Sequence, residues 1–363
     1  MDNEFSAIED MENPNLKETK TPEPLWKKVV MGIVRWGVPL AFTVLLVWYM
    51  FKKVSFADMW QIVTHGVDYG WILCAMGISV FSHIFRALRW RIQLRGVGIN
   101  PPLMALCCSI FGTYALNLVF PRLGEVWRCT YIAQREKKPF TTVVGTMVAD
   151  RMADMITVLL LTVFCFFVAT SAIQAFLAKY PIGQGLIDLV KNPWVWAAVV
   201  CMAAIVISIF HFGRNIGWIA KTRQWIAEMW RGFSSVARMK GKWKFLGFTA
   251  CIWGCYYLQL YVAFFAFPFT RELCVEPGLA LGLTPCLVAF VLSSLGMAIP
   301  SNGGLGPWNI AVMFGLAVYG ISDADGTAFS MLQWSGQTVM LIILGIFTMA
   351  YIALSKKEKT IAN

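Results

Sequence analysis

The chain alternates long apolar runs with short polar segments rich in lysine and arginine. Full-length apolar runs fall at about 29–51, 70–88, 141–172, 194–212, 245–268 and 327–354. Each approaches or exceeds the roughly 20 helical residues needed to cross the hydrocarbon core of a bilayer. Two further stretches are irregular. Residues 103–120 are apolar but interrupted by Gly112 and closed by Asn117 and Pro121. Residues 278–320 form two apolar arms around Ile299-Pro300-Ser301-Asn302-Gly303-Gly304-Leu305-Gly306-Pro307. Backbone of that kind is tolerated at membrane depth only where protein buries it or where it lines a polar cavity.

Composition agrees with this pattern. Of 363 residues, 58% are apolar and 14% charged, against roughly 45–50% and about 25% in ordinary soluble domains. So few charges cannot cover a globular surface. Soluble enzymes, disordered regulators and nucleic-acid-binding domains are therefore disfavoured. The net charge of +11 would suit nucleic acid, but the cations sit in short segments between apolar runs, where they set orientation and meet anionic headgroups. Most of the ten cysteines, among them Cys107, Cys108, Cys165, Cys201, Cys251 and Cys255, lie inside apolar runs and read as small hydrophobes. His65, His83 and His211 stand far apart, so neither a metal site nor a cofactor is expected.

The distribution of Lys and Arg orders these pieces. Residues 1–24 are polar, mostly acidic and carry Pro14, Pro22 and Pro24; they read as a disordered tail rather than a cleavable signal. Twenty-three basic residues fall in five segments, around 27–35, 86–95, 122–138, 214–244 and 356–359. They share one side only if 103–120 enters and returns on that side and 278–320 does the same from the other. The expected fold is thus an all-α polytopic bundle of about six spanning helices plus two re-entrant hairpins, with both termini cytoplasmic. A membrane domain over 25–355 is then followed by a short cytoplasmic tail, 356–363. Opposed hairpins are the sign of an inverted repeat. Internal similarity is thin: Phe120-Pro121-Arg122 through Trp127 against Ile299-Pro300 through Trp308.

Two charged groups stand out. Arg122, Glu125 and Arg128 follow Pro121 at a spacing that shares one helix face. A helix start bearing guanidinium forks suits phosphate; the alternative is a structural network in which Glu125 ties down both arginines. Asp150, Arg151 and Asp154 lie within an apolar run, where charge requires partners or water. The two trios sum to zero charge, and the expectation is that they meet in one cavity, opposite the turn of Pro300, Asn302, Gly303, Gly304 and Gly306. These glycines resemble a fragment of a nucleotide loop, but no strand precedes them and no lysine follows, so a flexible turn between half-helices is the better reading. Gln259, Gln333 and Gln337 read as hydrogen-bonding between helices. Residues 213–244 carry eight cations with Trp218, Trp225, Trp230 and Phe233 at roughly helical spacing, which reads as an amphipathic cytoplasmic loop on anionic lipid.

The stretches Asn117-Leu-Val-Phe-Pro121-Arg122-Leu-Gly124-Glu125-Val-Trp-Arg128, Asp150-Arg151-Met-Ala-Asp154 and Pro300-Ser-Asn-Gly303-Gly304-Leu-Gly306 resemble the lysylphosphatidylglycerol synthase transmembrane-region family of flippase-like integral membrane proteins. The resemblance implies movement of a lipid between leaflets, with the matched arginines and acids in the polar core. Asn309 stands where the family's glutamate is expected, which puts a charge-dependent role there in doubt. Only nine residues follow Leu354, so the soluble synthase domain is expected to be absent and its activity is not carried over.

The expectation is an integral protein of the cell (inner) membrane, not an enzyme. It translocates a phosphate-bearing lipid, anionic or polyprenyl-phosphate in type, without ATP hydrolysis. A separate lipid-modifying enzyme is an expected partner and nucleic acid is not. The alternative is a non-transporting scaffold or regulator of envelope lipid and glycan synthesis.

Overall fold

A computed structural model describes residues 66–170, 241–299 and 301–361, with a few isolated positions between 61 and 201. The tail 1–24, the run 29–51, nearly all of the run 194–212, the loop 213–240 and Pro300 lie outside the described residues.

All regular structure among the described residues is helical. The longer helices are α1 (Tyr69–Gly96), α2 (Leu103–Val119), α3 (Leu123–Arg135), α4 (Phe140–Val168) and α5 (Lys242–Phe264). After them come the short α6 (Pro268–Leu273), then α7 (Leu283–Gly296), α8 (Pro307–Ala317) and α9 (Asp323–Ile361). Prolines set several starts: Pro102 and Pro139 precede α2 and α4, and Pro268 and Pro307 occupy first turns, where a missing N–H is harmless. Among the described residues four helices, α1, α4, α5 and α9, are long and apolar enough to cross a membrane. On α4, Leu159, Leu160 and Phe167 are 64%, 65% and 74% exposed, a face that water would not tolerate and lipid would.

Between the long helices sit two helical hairpins. In the first, α2 packs against α3. A Cβ on Gly124 would lie 2.1 Å from the Thr113 carbonyl oxygen, and one on Gly112 would strike the Trp127 ring at 2.5 Å. Glycine therefore lets the two axes close, and Gly112 packs within a continuous α2 rather than breaking it. The turn is tied by Gly124 N, which donates to Asn117 Oδ1 at 2.9 Å. In the second hairpin α7 lies against α8, with Gly296 on Pro307 and Gly315 on Ala289. Such small-residue contacts are how helices pack closely where no water drives them together.

Among the described residues the order is long helix, hairpin, long helix, twice over: α1, α2–α3, α4, then α5, α7–α8, α9. The hairpin tips meet. Asn302 Nδ2 donates to the Val119 carbonyl at 3.3 Å, and Gly303 sits against Leu118. Around the first hairpin, Trp90, Leu94, Leu106, Ile110 and Ile132 form one buried core; Leu260, Phe264, Leu287, Val291 and Phe329 belong to a second.

Candidate functional site

One stripe of α1 is polar. Ser79, Ser82, His83, Arg86, Arg89, Trp90 and Gln93 recur at intervals of three and four residues, and all are buried. At 1.5 Å per residue the stripe runs about 21 Å. Facing it on α4, Asp150 and Asp154 stand one turn apart, and Asp154 falls midway along that helix.

The four side chains are cross-paired. Arg86 NH1 lies 2.7 Å from Asp154 Oδ2 and 3.5 Å from Asp150 Oδ2. Arg89 NH2 lies 2.8 Å from Asp150 Oδ1 and 2.8 Å from Asp154 Oδ1. Each guanidinium therefore spans both carboxylates, the arrangement that planar forks allow and a point charge does not. Helix α5 adds hydroxyls: Arg86 NH2 donates to Tyr256 Oη at 3.2 Å, and Arg89 NH1 to Thr249 Oγ1 at 3.3 Å. Unpaired, each of these charges would cost several kcal/mol to bury.

Helix α3 completes the group. Glu125 Oε1 pairs with Arg151 NH2 at 3.0 Å, and Arg151 NH1 reaches Asp154 Oδ2 at 3.8 Å. Arg128 is fully buried, with its guanidinium carbon 4.7 Å over the Trp90 ring. Its NH2 stops 3.8 Å from Asp150 Oδ2. None of its three nitrogens has a hydrogen-bond partner among the described residues, nor does Asp150 Oδ2. Arg86, Arg89, Arg128 and Arg151 oppose Asp150, Asp154 and Glu125, so the group carries one surplus positive charge when all are ionised.

Five of the six expected charges are brought together: Glu125, Arg128, Asp150, Arg151 and Asp154. Arg122 is not. Helix α3 begins at Leu123, which leaves Arg122 outside it with φ 63°, exposed and with no ion pair among the described residues. The helix start itself is occupied, since the Gly124 N–H already has Asn117. Arg86 and Arg89, read from the sequence as loop cations, are interior residues of α1. They end an apolar run, which made them look like its boundary. Their spacing with Ser79, Ser82, His83 and Gln93 was the signal that identifies them.

The glycine turn is a structural joint. Gly303, Gly304 and Gly306 have φ of 57°, 82° and 91°, the left-handed region that glycine adopts without strain. Trp334 Nε1 donates to the Gly303 carbonyl at 2.9 Å; Asn302 and Gly303 meet the first hairpin's tip, and Gly304 lies against Met297 and Trp308 of its own hairpin. Asn309, fully buried, accepts from Gly306 N at 3.0 Å; an amide oxygen there closes the start of α8. Gln337 Nε2 donates to Ser79 Oγ at 2.8 Å between helices. No cluster of three His, Cys, Asp or Glu able to hold a metal ion occurs among the described residues.

Membrane-length helices around a buried charged core make this an integral membrane protein. The family model described as the lysylphosphatidylglycerol synthase TM region matches residues 36–345. The chain belongs to that family. No curated protein and no solved structure matches it.

Proposed function

We propose that this protein moves a phosphate-bearing lipid between leaflets, its head group passing through the arginine-rich group on α1, α3 and α4. The observation that carries the reading is Arg128. A fully buried guanidinium with no hydrogen-bond partner among the described residues is costly unless a ligand supplies acceptors. A phosphate oxygen would satisfy the donors of Arg128, and one negative charge would cancel the surplus of the group. A scaffold has no use for such a group, whereas a translocase needs a polar path that closes without bare charge.

In this reading both hairpins are re-entrant and enter from opposite faces, the two halves form an inverted repeat, and both termini are cytoplasmic in the cell (inner) membrane. Passage is passive or ion-coupled, since the sequence carries no nucleotide-binding lysine loop. The ligands are anionic or polyprenyl-phosphate lipids, with a separate lipid-modifying enzyme as supplier or consumer, and no catalytic role is assigned to the chain.

The test is reconstitution into proteoliposomes with a labelled anionic phospholipid, reading leaflet access, together with mass spectrometry of co-purifying lipid. Arg128→Gln is expected to lower both transport and retained lipid by about tenfold. Unchanged transport and lipid in a folded Arg128→Gln protein returns the scaffold reading.

A further inference from the structure

His83 is 2% exposed and lies one turn before Arg86 on α1. Neither ring nitrogen has a hydrogen-bond partner among the described residues. A phenylalanine would pack there without the cost that two unpaired buried nitrogens carry. On α2 the Tyr114 ring is 4.5 Å from the imidazole and the Phe111 ring 6.3 Å. On α5 comes Tyr256, whose Oη stands 3.4 Å from Tyr114 Oη and accepts from Arg86. On α4 both Asp150 and Asp154 are engaged by Arg86 and Arg89. From α3, Glu125 pairs with Arg151 and Arg128 points at Asp150. Helix α9 meets this stretch of α1 through an amide, Gln337 on Ser79. Among the described residues no carboxylate pairs with His83.

Charge counting then links the imidazole to a ligand. The paired group already holds one surplus positive charge, and a proton on His83 would make it two. A bound anion cancels the surplus, so the same proton then only restores it. In a low-dielectric interior such attraction acts over several ångströms and needs no direct contact. We infer that His83 is the proton-coupling residue of this protein, and that one proton and one anionic lipid load and leave together. The inference rests on the anion-binding reading of the charged group. The proton passes from bulk water to an imidazole nitrogen as the lipid enters, and returns to water when the lipid leaves. A phosphodiester lipid with one negative charge then crosses with no net charge. Linkage makes the coupling reciprocal: the lipid draws a proton, and lower pH strengthens lipid binding.

The full-length protein is reconstituted with labelled phosphatidylglycerol, whose phosphodiester keeps one charge across the histidine range of about pH 5 to 8. Binding in weakly buffered nanodiscs reads proton uptake, and proteoliposomes read the lipid's distribution between leaflets. Wild type is expected to take up about one proton per lipid. A gradient of one pH unit should gather the lipid about tenfold in the leaflet on the alkaline side, as a one-to-one exchange of free energy requires. A potassium diffusion potential should leave that distribution unchanged. His83→Gln, or His83→Asn if the longer amide disturbs folding, should bind lipid without taking up a proton, and its distribution should follow the potential instead of pH. Arg128→Gln should lose lipid and proton together. A wild-type distribution that ignores pH, or a His83→Gln protein that still takes up a proton with lipid, overturns the coupling while Arg128 dependence keeps the phosphate site standing. Lipid binding that ignores Arg128→Gln overturns both.

Discussion

Asn302 in the turn between α7 and α8 donates from Nδ2 to the carbonyl oxygen of Val119, at the end of α2, across 3.3 Å. These residues belong to the tips of two hairpins from different halves of the chain. The contact is small: one hydrogen bond, worth about 1 kcal/mol, beside the Leu118–Gly303 packing. On the far side the turn is held by Trp334. A joint this weak between two well-packed hairpins is where the bundle would part if the head group must pass from one half to the other.

That consequence can be locked. With the exposed Cys74, Cys201 and Cys251 replaced by alanine, Val119→Cys with Asn302→Cys is expected to form a disulfide under mild oxidation. Transport should stop while the bridge is intact and return on reduction. A bridged protein transporting at the unbridged rate would show that the tips stay joined throughout.

The first hairpin depends on Gly124. A methyl group there would lie 2.1 Å from the Thr113 carbonyl oxygen, while at Gly145 on α4 it would meet nothing within 4 Å. Gly124→Ala should therefore lower stability by about 1–3 kcal/mol, as overpacking does. Gly145→Ala should be neutral or stabilising, since alanine favours the helix. Thermal unfolding of both variants in detergent makes the comparison.

Arg122 offers a contrary expectation to its place in the sequence motif. It sits at φ 63°, a conformation that costs a non-glycine residue roughly 1–2 kcal/mol, and it makes no ion pair among the described residues. Arg122→Gly should leave lipid binding within about twofold of wild type and keep or slightly raise the unfolding transition. A tenfold loss of binding would return Arg122 to the site.

Four of the six expected long helices and the helix pairs between them are present among the described residues, and they were legible because a membrane span demands apolar length and because a hairpin must stop at Pro121 or at the glycines of 302–306. Most of the charged site was legible too, since Asp150 and Asp154 interrupt an apolar run. Its arginine half was not. Arg86 and Arg89 fall at the end of an apolar run and are followed by Arg91 and Arg95, so counting cations assigns all four to a loop. Only helix continuity to Gly96 turns Arg86 and Arg89 inward. Arg122 failed in the opposite sense: its spacing to Glu125 and Arg128 implies one helix, and the left-handed turn that closes the hairpin removes it. Side-chain direction at a helix boundary depends on where the first turn begins, and a one-residue shift decides it.

The last prediction separates what the buried charges do for stability from what they do for a ligand. Arg86 and Asp154 are 2.7 Å apart and both are buried. Asp154→Asn leaves Arg86 and Arg89 each short of a carboxylate oxygen and should destabilise by about 3–5 kcal/mol, the cost of stranding a buried charge. The double change Arg86→Met with Asp154→Leu removes one charge of each sign, keeps the surplus at +1 and leaves the Arg89–Asp150 contact at 2.8 Å. Apolar replacement of a buried pair is often neutral or stabilising, so the double variant should unfold within about 1 kcal/mol of wild type by that comparison. Its affinity for the labelled anionic phospholipid should nonetheless fall about tenfold, because the fork that links the carboxylates to Tyr256 is gone. A double variant that binds and transports normally would make this pair structural alone, leaving Arg128 and Arg151 to hold the phosphate. One as unstable as Asp154→Asn would mean that the pairing itself is not what the bundle needs at this position.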